Sequence, residues 1–347
     1  MNKSVVIGKH VISLDSPIYL IAEVGTTCLG DEDMALELVD AGADAGMDAI
    51  KFQLIDPEQV SDTSVNYTVK WEGKETQVNM YEMFSQLQFT SQQWGRIAHR
   101  CKERGVDFFA TVDYVDGVDL LEEIGVPAHK IGAWDTTFKP LVTRIGQTKK
   151  PMLVDLGPTT QQEIDDLKNW YLDAGGTAII FLHDFHTSED DEMNLAAIRY
   201  LEATQPWPVG YSSPAHDHDL DFLAIGFGAR VLEKRLILSR NTKAFHSHES
   251  LEPDELRNWV NRIRHVCRAI GTYGIKPSHR DIEDSQKYYR SICTTRPVKA
   301  GEAFTPTNLH GKRPGNGIPT KQLETIWGRP AARDLDANIL INPEDVI

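Results

Sequence analysis

The stretch 19–53 limits what this chain can fold into more than any other. It opens on Tyr19-Leu-Ile-Ala-Glu-Val-Gly, an apolar run that ends at Glu23 and is closed by Gly25. A short apolar run bounded by turn residues is the pattern of a strand buried on both faces. From Asp31 the spacing becomes helical: Met34, Leu36, Leu38, Val39 and Ala43 fall roughly on one stripe, and Gly42 and Gly46 close it. Ala49-Ile-Lys-Phe-Gln53 is apolar again but carries Lys51 and Gln53. Together the pieces predict a β-α-β unit with a carboxylate at the end of the first strand and an ammonium and an amide on the second. Burying such groups on parallel strands is costly unless they face a site. In a barrel of parallel strands, the carboxyl-end rim is where chemistry is built.

The alternation continues along the chain. The patterns predict helices at 91–103, 117–124, 138–147, 160–174, 193–202, 220–228 and 254–270, and strands at 106–112, 129–133, 151–157, 177–183, 208–212 and 230–235. Thr160-Gln-Gln-Glu is a helix-capping signal. Eight strand–helix units in succession predict an α/β fold, a (β/α)8 TIM barrel. A doubly wound open sheet is the rival, but no glycine-rich phosphate loop follows the first strand. The polar segment 55–88 interrupts the pattern, with a helical hint only near 80–84. A connection of that length is usually functional, and it reads as a flap over the strand ends. After Gly271, residues 276–287 are polar and charged and read as a linker. From Arg290 the pattern is short and β-rich: Ser291-Ile-Cys-Thr-Thr, a Lys299-Ala-Gly-Glu turn, Lys312-Arg-Pro-Gly-Asn-Gly317 and Ala337-Asn-Ile-Leu-Ile. The expected organisation is a barrel over 1–272, a linker over 273–289 and a small β-rich domain over 290–347, whose core would be marginal alone.

A net charge of -15 over 347 residues argues against nucleic acid and anionic membranes as partners. No apolar run approaches the ~18 residues of a membrane helix. The first residues lack a signal-type apolar core, so the expected location is cytoplasmic. Cys28, Cys101, Cys267 and Cys293 are scattered without metal-ligand spacing and read as reduced thiols.

Ile21-Ala-Glu-Val-Gly, Ile50-Lys-Phe-Gln, His129-Lys-Ile-Gly, Val231-Leu-Glu-Lys and Ser250-Leu-Glu-Pro together resemble the sialic acid (N-acetylneuraminate) synthase family. Lys312-Arg-Pro-Gly-Asn-Gly resembles the antifreeze-like (SAF) domain that ends those enzymes. The resemblance covers nearly the whole chain in order and spacing. It implies condensation of phosphoenolpyruvate with an N-acetylated aldehyde sugar such as N-acetylmannosamine. The products implied are phosphate and a nine-carbon 2-keto acid, a sialic-acid-like nonulosonic acid. It also implies a divalent metal, manganese or magnesium, and a domain-swapped homodimer in which one chain's small domain closes the other's barrel. On matching positions, Glu23 is the acid of the first strand, and Lys51 and Gln53 are the lysine and glutamine of the second. Thr111, Lys130 and Ser212 match positions that hold phosphate and pyruvate, and Arg313 matches the arginine donated across the dimer to the sugar.

The chain departs from the family at the site itself. Gly132-Ala-Trp-Asp135 stands for Gly-Ser-Gly-Glu, and Asp155-Leu-Gly157 for Ser-Thr-Gly. Ser212-Ser-Pro214 stands for Ser-Asp-His, and Glu233-Lys-Arg235 for Glu-Arg-His or Glu-Lys-His, so Pro214 and Arg235 replace both metal-binding histidines. Phe245-His246 replaces a Pro-Asp pair, which puts His246, with Asp155, among the expected substrate-binding residues. Phosphoenolpyruvate carries about three negative charges near neutral pH. Lys51, Lys130 and Arg235, from three strands, are expected to gather round it, with Thr111 and Ser212 as hydroxyl donors. Glu23, Asp135 and Arg235 are the expected catalytic residues, the first two for acid–base work or water positioning. Three accounts of the missing histidines stay open. Arg235 replaces the metal electrostatically. A metal site is rebuilt from the histidines around the last three strands, with His183, His186, His216 and His218 as candidates. Or the chemistry has changed, to another aldehyde or 2-oxo acid donor or to a non-catalytic carbohydrate-binding barrel; Asp155 points this way, because a carboxylate repels phosphate.

Overall fold

In this computed structural model, residues 3–71, 74–184, 190–213, 218–271 and 274–347 are described. The chain divides into two compact units, 1–271 and 272–347. The first is built on eight parallel strands: β1 Tyr19–Glu23, β2 Ala49–Leu54, β3 Asp107–Val112, β4 His129–Ile131, β5 Met152–Asp155, β6 Ile179–His183, β7 Val209–Ser213 and β8 Ala229–Arg235. They close into a barrel in sequence order, with β8 pairing back onto β1. Between them run α1 Glu32–Ala45, α2 Ser91–Arg104, α3 Val115–Ile124, α4 Lys139–Gln147, α5 Gln161–Asp173, α6 Ala196–Thr204 and α7 His218–Gly226; α8 Pro253–Ile270 follows the last strand. The TIM barrel expected from the alternation is present.

Local chemistry sets these boundaries. The side chain of Asp31 accepts from the Met34 N–H and starts α1, and Gly46 stops it at a positive φ of 90°. Thr160 and Glu163 cap α5 reciprocally, as the sequence predicts. Every residue of β1 is buried, because helices cover the barrel outside and side chains fill it inside. Register then sets the site. Glu23 lies beside Lys51 on β2 and Arg235 on β8, Thr111 lies beside Gln53 and Lys130, and Ser212 lies beside Glu233.

Several segments differ from the sequence expectation. The flap 55–88 contains short helices at Pro57–Val60 and Met80–Ser85 and an antiparallel hairpin, Asn66–Trp71 with Lys74–Asn79. Asn66, Thr68, Thr76 and Gln77 are exposed, so this hairpin lacks the apolar alternation that announces a strand. A second unforeseen hairpin, Ser4–Ile7 with His10–Ser13, packs Val5, Ile7 and Ile12 into the core. Gly8 in its turn abuts Asp107, the first residue of β3, so it lies at the amino-terminal end of the barrel. The segment read as a linker carries a helix, His279–Tyr288, capped by Ser278 and Asp281.

Taken by itself, the second unit gathers Ile292, Phe304, Ile318 and Ile341 in a small core. Among its described residues the regular pairing is one antiparallel pair, Ser291–Thr294 with Leu309–Lys312. The run at 337–341 joins it through an isolated bridge, Cys293 to Leu340. All four cysteines are free. Among the described residues no helix is long and apolar enough to cross a membrane.

One contact behind the barrel sets the rotation of β8. Lys234 points out into the helix layer, where its Nζ lies 2.9 Å from Asp221 Oδ2 on α7. The same oxygen accepts from Trp259 Nε1 on α8 at 2.7 Å, and all three side chains are buried. Since side chains alternate along a strand, this places Glu233 and Arg235 on the opposite, inward face. Replacing Asp221 by Ala removes the carboxylate that neutralises a buried ammonium. We expect it to cost about 3–5 kcal/mol, read from denaturant unfolding. An unchanged midpoint would contradict this role for Asp221.

Candidate active site

Glu233 lies inside the barrel between two lysines from strands that are not its neighbours. Its Oε1 is 3.0 Å from Lys51 Nζ and its Oε2 is 2.5 Å from Lys130 Nζ. Lys51 also pairs with Glu23 and donates to Thr111 Oγ1 at 3.0 Å. Lys130 donates to Glu233 and lies 2.8 Å from Asp155 Oδ2. The other oxygen of Glu23 accepts from the Gly25 N–H at 2.7 Å. A Cβ on residue 25 would lie 2.6 Å from the backbone N of Gln53, which explains the glycine after the acid.

These charges sustain one another out of water. Burial pulls the Lys51 ammonium down, but Glu23, Glu233 and Asp155 outweigh it and hold the group well above its ordinary range. Burial pushes Glu233 up, yet Lys130 and Lys51 bring it to about 2. Asp155 has less support: burial lifts it to about 7 against the pull of Lys130. At the rim, Asp113 follows β3 and Asp135 lies in the turn Ala133–Asp135 after β4. The two hydrogen-bond each other. Lost hydration lifts Asp113 to about 8, with the charge of Asp135 adding, and lifts Asp135 to about 6. Such a pair shares protons and titrates as a unit. Asp184, just past β6, rises to about 6 through burial, against Lys130 and Arg235.

Arg235 stands one alternation beyond Glu233. Its Nη1 is 3.0 Å from Glu249 Oε2, which also meets His246 Nδ1 at 2.9 Å. His246 takes a left-handed φ of 65° and packs on Phe245, whose ring stacks 5.9 Å from Tyr67 of the flap hairpin. The flap and the loop after β8 therefore meet. Burial, then the charge of Arg235, holds the His246 ring below its ordinary range, although Glu249 pulls it up.

The expected gathering of Lys51, Lys130 and Arg235 takes a different form. Lys51 and Lys130 meet on Glu233, while Arg235 turns to Glu249. Glu23, Thr111 and Asp155 join the lysine cluster, and Gln53 and Ser212 are half-buried beside it in register. Arg313 belongs to the second unit, where its Nε donates to the Tyr288 carbonyl at 2.6 Å. His183 Nε2 is 2.8 Å from the Met193 carbonyl oxygen. His218 Nδ1 is 3.9 Å from Asp221, the acid that serves the helix layer. His186, Pro214 and His216 lie outside the described residues. Glu233, Asp113, Asp184 and Glu249 were not among the expected site residues. A signal existed for the first, which shares a strand face with Arg235, and for Asp113 and Asp184, each the residue after a predicted strand.

The described donors do not fit a divalent cation. Arg235 brings a permanent cation to the rim. Glu23 is taken by Lys51 and Gly25, and Glu249 by Arg235 and His246. No group of three or more His, Cys, Asp or Glu side chains converges as a ligand set among the described residues.

Known proteins resemble this chain along its length. The NeuB family profile matches residues 38–274 and the SAF domain profile residues 289–347. An uncharacterized protein of Methanocaldococcus jannaschii is 32% identical over 98% of each chain. N,N'-diacetyllegionaminic acid synthase of Legionella pneumophila is 30% identical over 92% of each. A solved structure, the putative spore coat polysaccharide biosynthesis protein E of Chromobacterium violaceum, matches with a TM-score of 0.79 at 21% identity, covering 95% of this chain and 99% of that one.

The raised carboxyls predict how stability follows pH. Asp113 and Asp155 hold protons to about 8 and about 7 when folded, whereas an unfolded aspartate loses its proton near about 4. The folded state therefore binds more protons than the unfolded one through neutral pH, and stability falls as pH rises. His129, His183 and His246 are held low by burial and work the other way, but only at lower pH, where unfolded histidines charge. The denaturation midpoint should be higher at about pH 7 than at about pH 8.5. Asp155→Asn should shrink the difference, and a midpoint that rises with pH across this window would contradict the burial of these acids.

Proposed function

The chain belongs to the NeuB family, and on that premise we propose that it condenses phosphoenolpyruvate with an N-acetylated aldehyde sugar. The products are a sialic-acid-like nonulosonic acid and phosphate. The observation that carries this reading is the pair of buried ammonium groups, Lys51 and Lys130, held together by Glu233 at the carboxyl end of the barrel strands. A cation pair fixed in a dry interior suits a small, highly charged anion. The similarity to N,N'-diacetyllegionaminic acid synthase supports an acetamido sugar as acceptor. Arg313 would reach that sugar from a second copy of the chain in a homodimer.

In this reading Lys130, Lys51 and Thr111 seat the donor, with Ser212 and Gln53 at the rim. The methylene carbon of phosphoenolpyruvate attacks the aldehyde carbon. Negative charge develops on the aldehyde oxygen, and the Arg235 guanidinium stabilises it as it forms. Water adds to the cationic carbon left on the donor and gives up a proton to the Asp113–Asp135 pair, whose raised affinity suits a general base near neutral pH. The pair's proton passes to the alkoxide, the hydroxyl proton of the tetrahedral intermediate leaves with the phosphate as the ketone forms, and one water is consumed. Glu23 keeps the Lys51 ammonium aimed and charged. The charge on Arg235 does the electrophile's task in these steps.

Phosphate release from phosphoenolpyruvate, assayed with a panel of aldehyde amino sugars, tests the reading. We expect release to depend on the sugar. Lys51→Met and Lys130→Met should each lower turnover by about 10²–10³, and Arg235→Ala should lower kcat by a similar factor. Wild-type turnover should survive exhaustive chelation. Release that ignores the sugar, or that never occurs with any aldehyde, would contradict the proposal.

A further inference from the structure

The donor site proposed above contains one group set against a phosphorylated ligand. Asp155 ends β5, and its Oδ2 lies 2.8 Å from Lys130 Nζ. Its Oδ1 is buried and accepts no hydrogen bond from the described residues. An ionised carboxylate oxygen in that state has lost water and gained no donor. The charged groups facing it are Lys130 from β4, Glu233 from β8, Lys51 from β2 and Asp184 from the end of β6. The ring of the neighbouring His183 is engaged by the Met193 carbonyl. With Glu23 on Lys51, the two ammonium groups already face four carboxyls. A trianionic donor cannot join this cluster beside Lys130 while Asp155 keeps its charge, because like charges in a poorly hydrated site repel strongly.

We propose that Asp155 receives the phosphorylated donor as a neutral acid: as the ligand enters, the carboxyl takes a proton from solvent, and its O–H donates to a ligand oxygen while Lys130 binds another. The inference rests on the donor reading above. It turns a residue that opposes phosphate into a hydrogen-bond donor, and it makes binding consume a proton. Burial has already brought Asp155 to about 7 in the free protein, and the charge of the arriving ligand lifts it well beyond the pH range tested. The sign follows. Below that value the acid is already protonated and binding takes up nothing. Above it the free carboxyl is ionised, so binding must restore its proton, and affinity falls about tenfold per pH unit. The ligand's own phosphate ionisation, near about 6, is complete in that range and adds nothing.

Calorimetric titration of the full chain with phosphoenolpyruvate alone, in two buffers of different ionisation enthalpy, reads the proton directly. Between about pH 7.5 and 8.5 the wild type should take up close to one proton and weaken about tenfold. Asp155→Asn should lose the uptake and bind about tenfold or more tightly than wild type at the upper pH; Asp155→Ser serves if the amide does not fold. Wild-type binding without proton uptake overturns the inference whatever the variants do, and so does an uptake that survives both substitutions. Absence of binding heat at every pH overturns the donor reading itself, and this inference falls with it.

Discussion

Glu233 is the interaction on which the barrel's interior depends. Two ammonium groups inside a closed sheet would each cost several kcal/mol after relaxation if left unpaired. One carboxylate from β8 answers both, reaching Lys51 on β2 and Lys130 on β4. The arrangement requires β8 to keep its rotation, and that is set behind the sheet by Lys234, Asp221 and Trp259. Alternation does the rest: one residue faces the helices, the next faces the site. A stability element in the outer layer thus positions a chemical element in the inner one.

The charge balance also divides the labour within the site. Lys51 donates to Thr111 and pairs with both Glu23 and Glu233, so it acts chiefly by its field. Lys130 donates to Glu233 and pairs with Asp155. Arg235 lies further out, tied to Glu249 and His246 under the loop that meets the flap. An anionic donor seated deep and a neutral sugar seated at the rim would each find the group suited to it. In the proposed reaction the carboxyls of Asp113 and Asp135, which share protons, would take the proton of the attacking water.

Much of this was legible in the sequence, and the exceptions have physical reasons. Buried parallel strands such as Tyr19–Glu23 and Ala49–Leu54 announce themselves by unbroken apolar runs, so the barrel and its order could be read directly. Glu23 and Lys51 stood out because a charged residue on such a strand demands a reason, and Thr111 and Lys130 through the family resemblance. The hairpin Asn66–Trp71 with Lys74–Asn79 did not, because exposed polar strands carry no period to detect. The helix His279–Tyr288 was hidden for the same reason, since none of its side chains is buried. Arg235 was read as a third member of the lysine cluster. Its partner Glu249 comes from a loop after the strand, and sequence spacing alone gives no sign of that contact.

In the proposed reaction Lys130 and Glu233 act as one unit in seating a phosphorylated donor. A double-mutant cycle on phosphoenolpyruvate affinity measures this most directly, using Lys130→Met, Glu233→Gln and the two combined. If the pair is a unit, the combined loss departs from the sum of the single losses by more than about 0.5 kcal/mol. Additive losses within that margin would mean that the two residues contribute independently and would contradict their action as a unit.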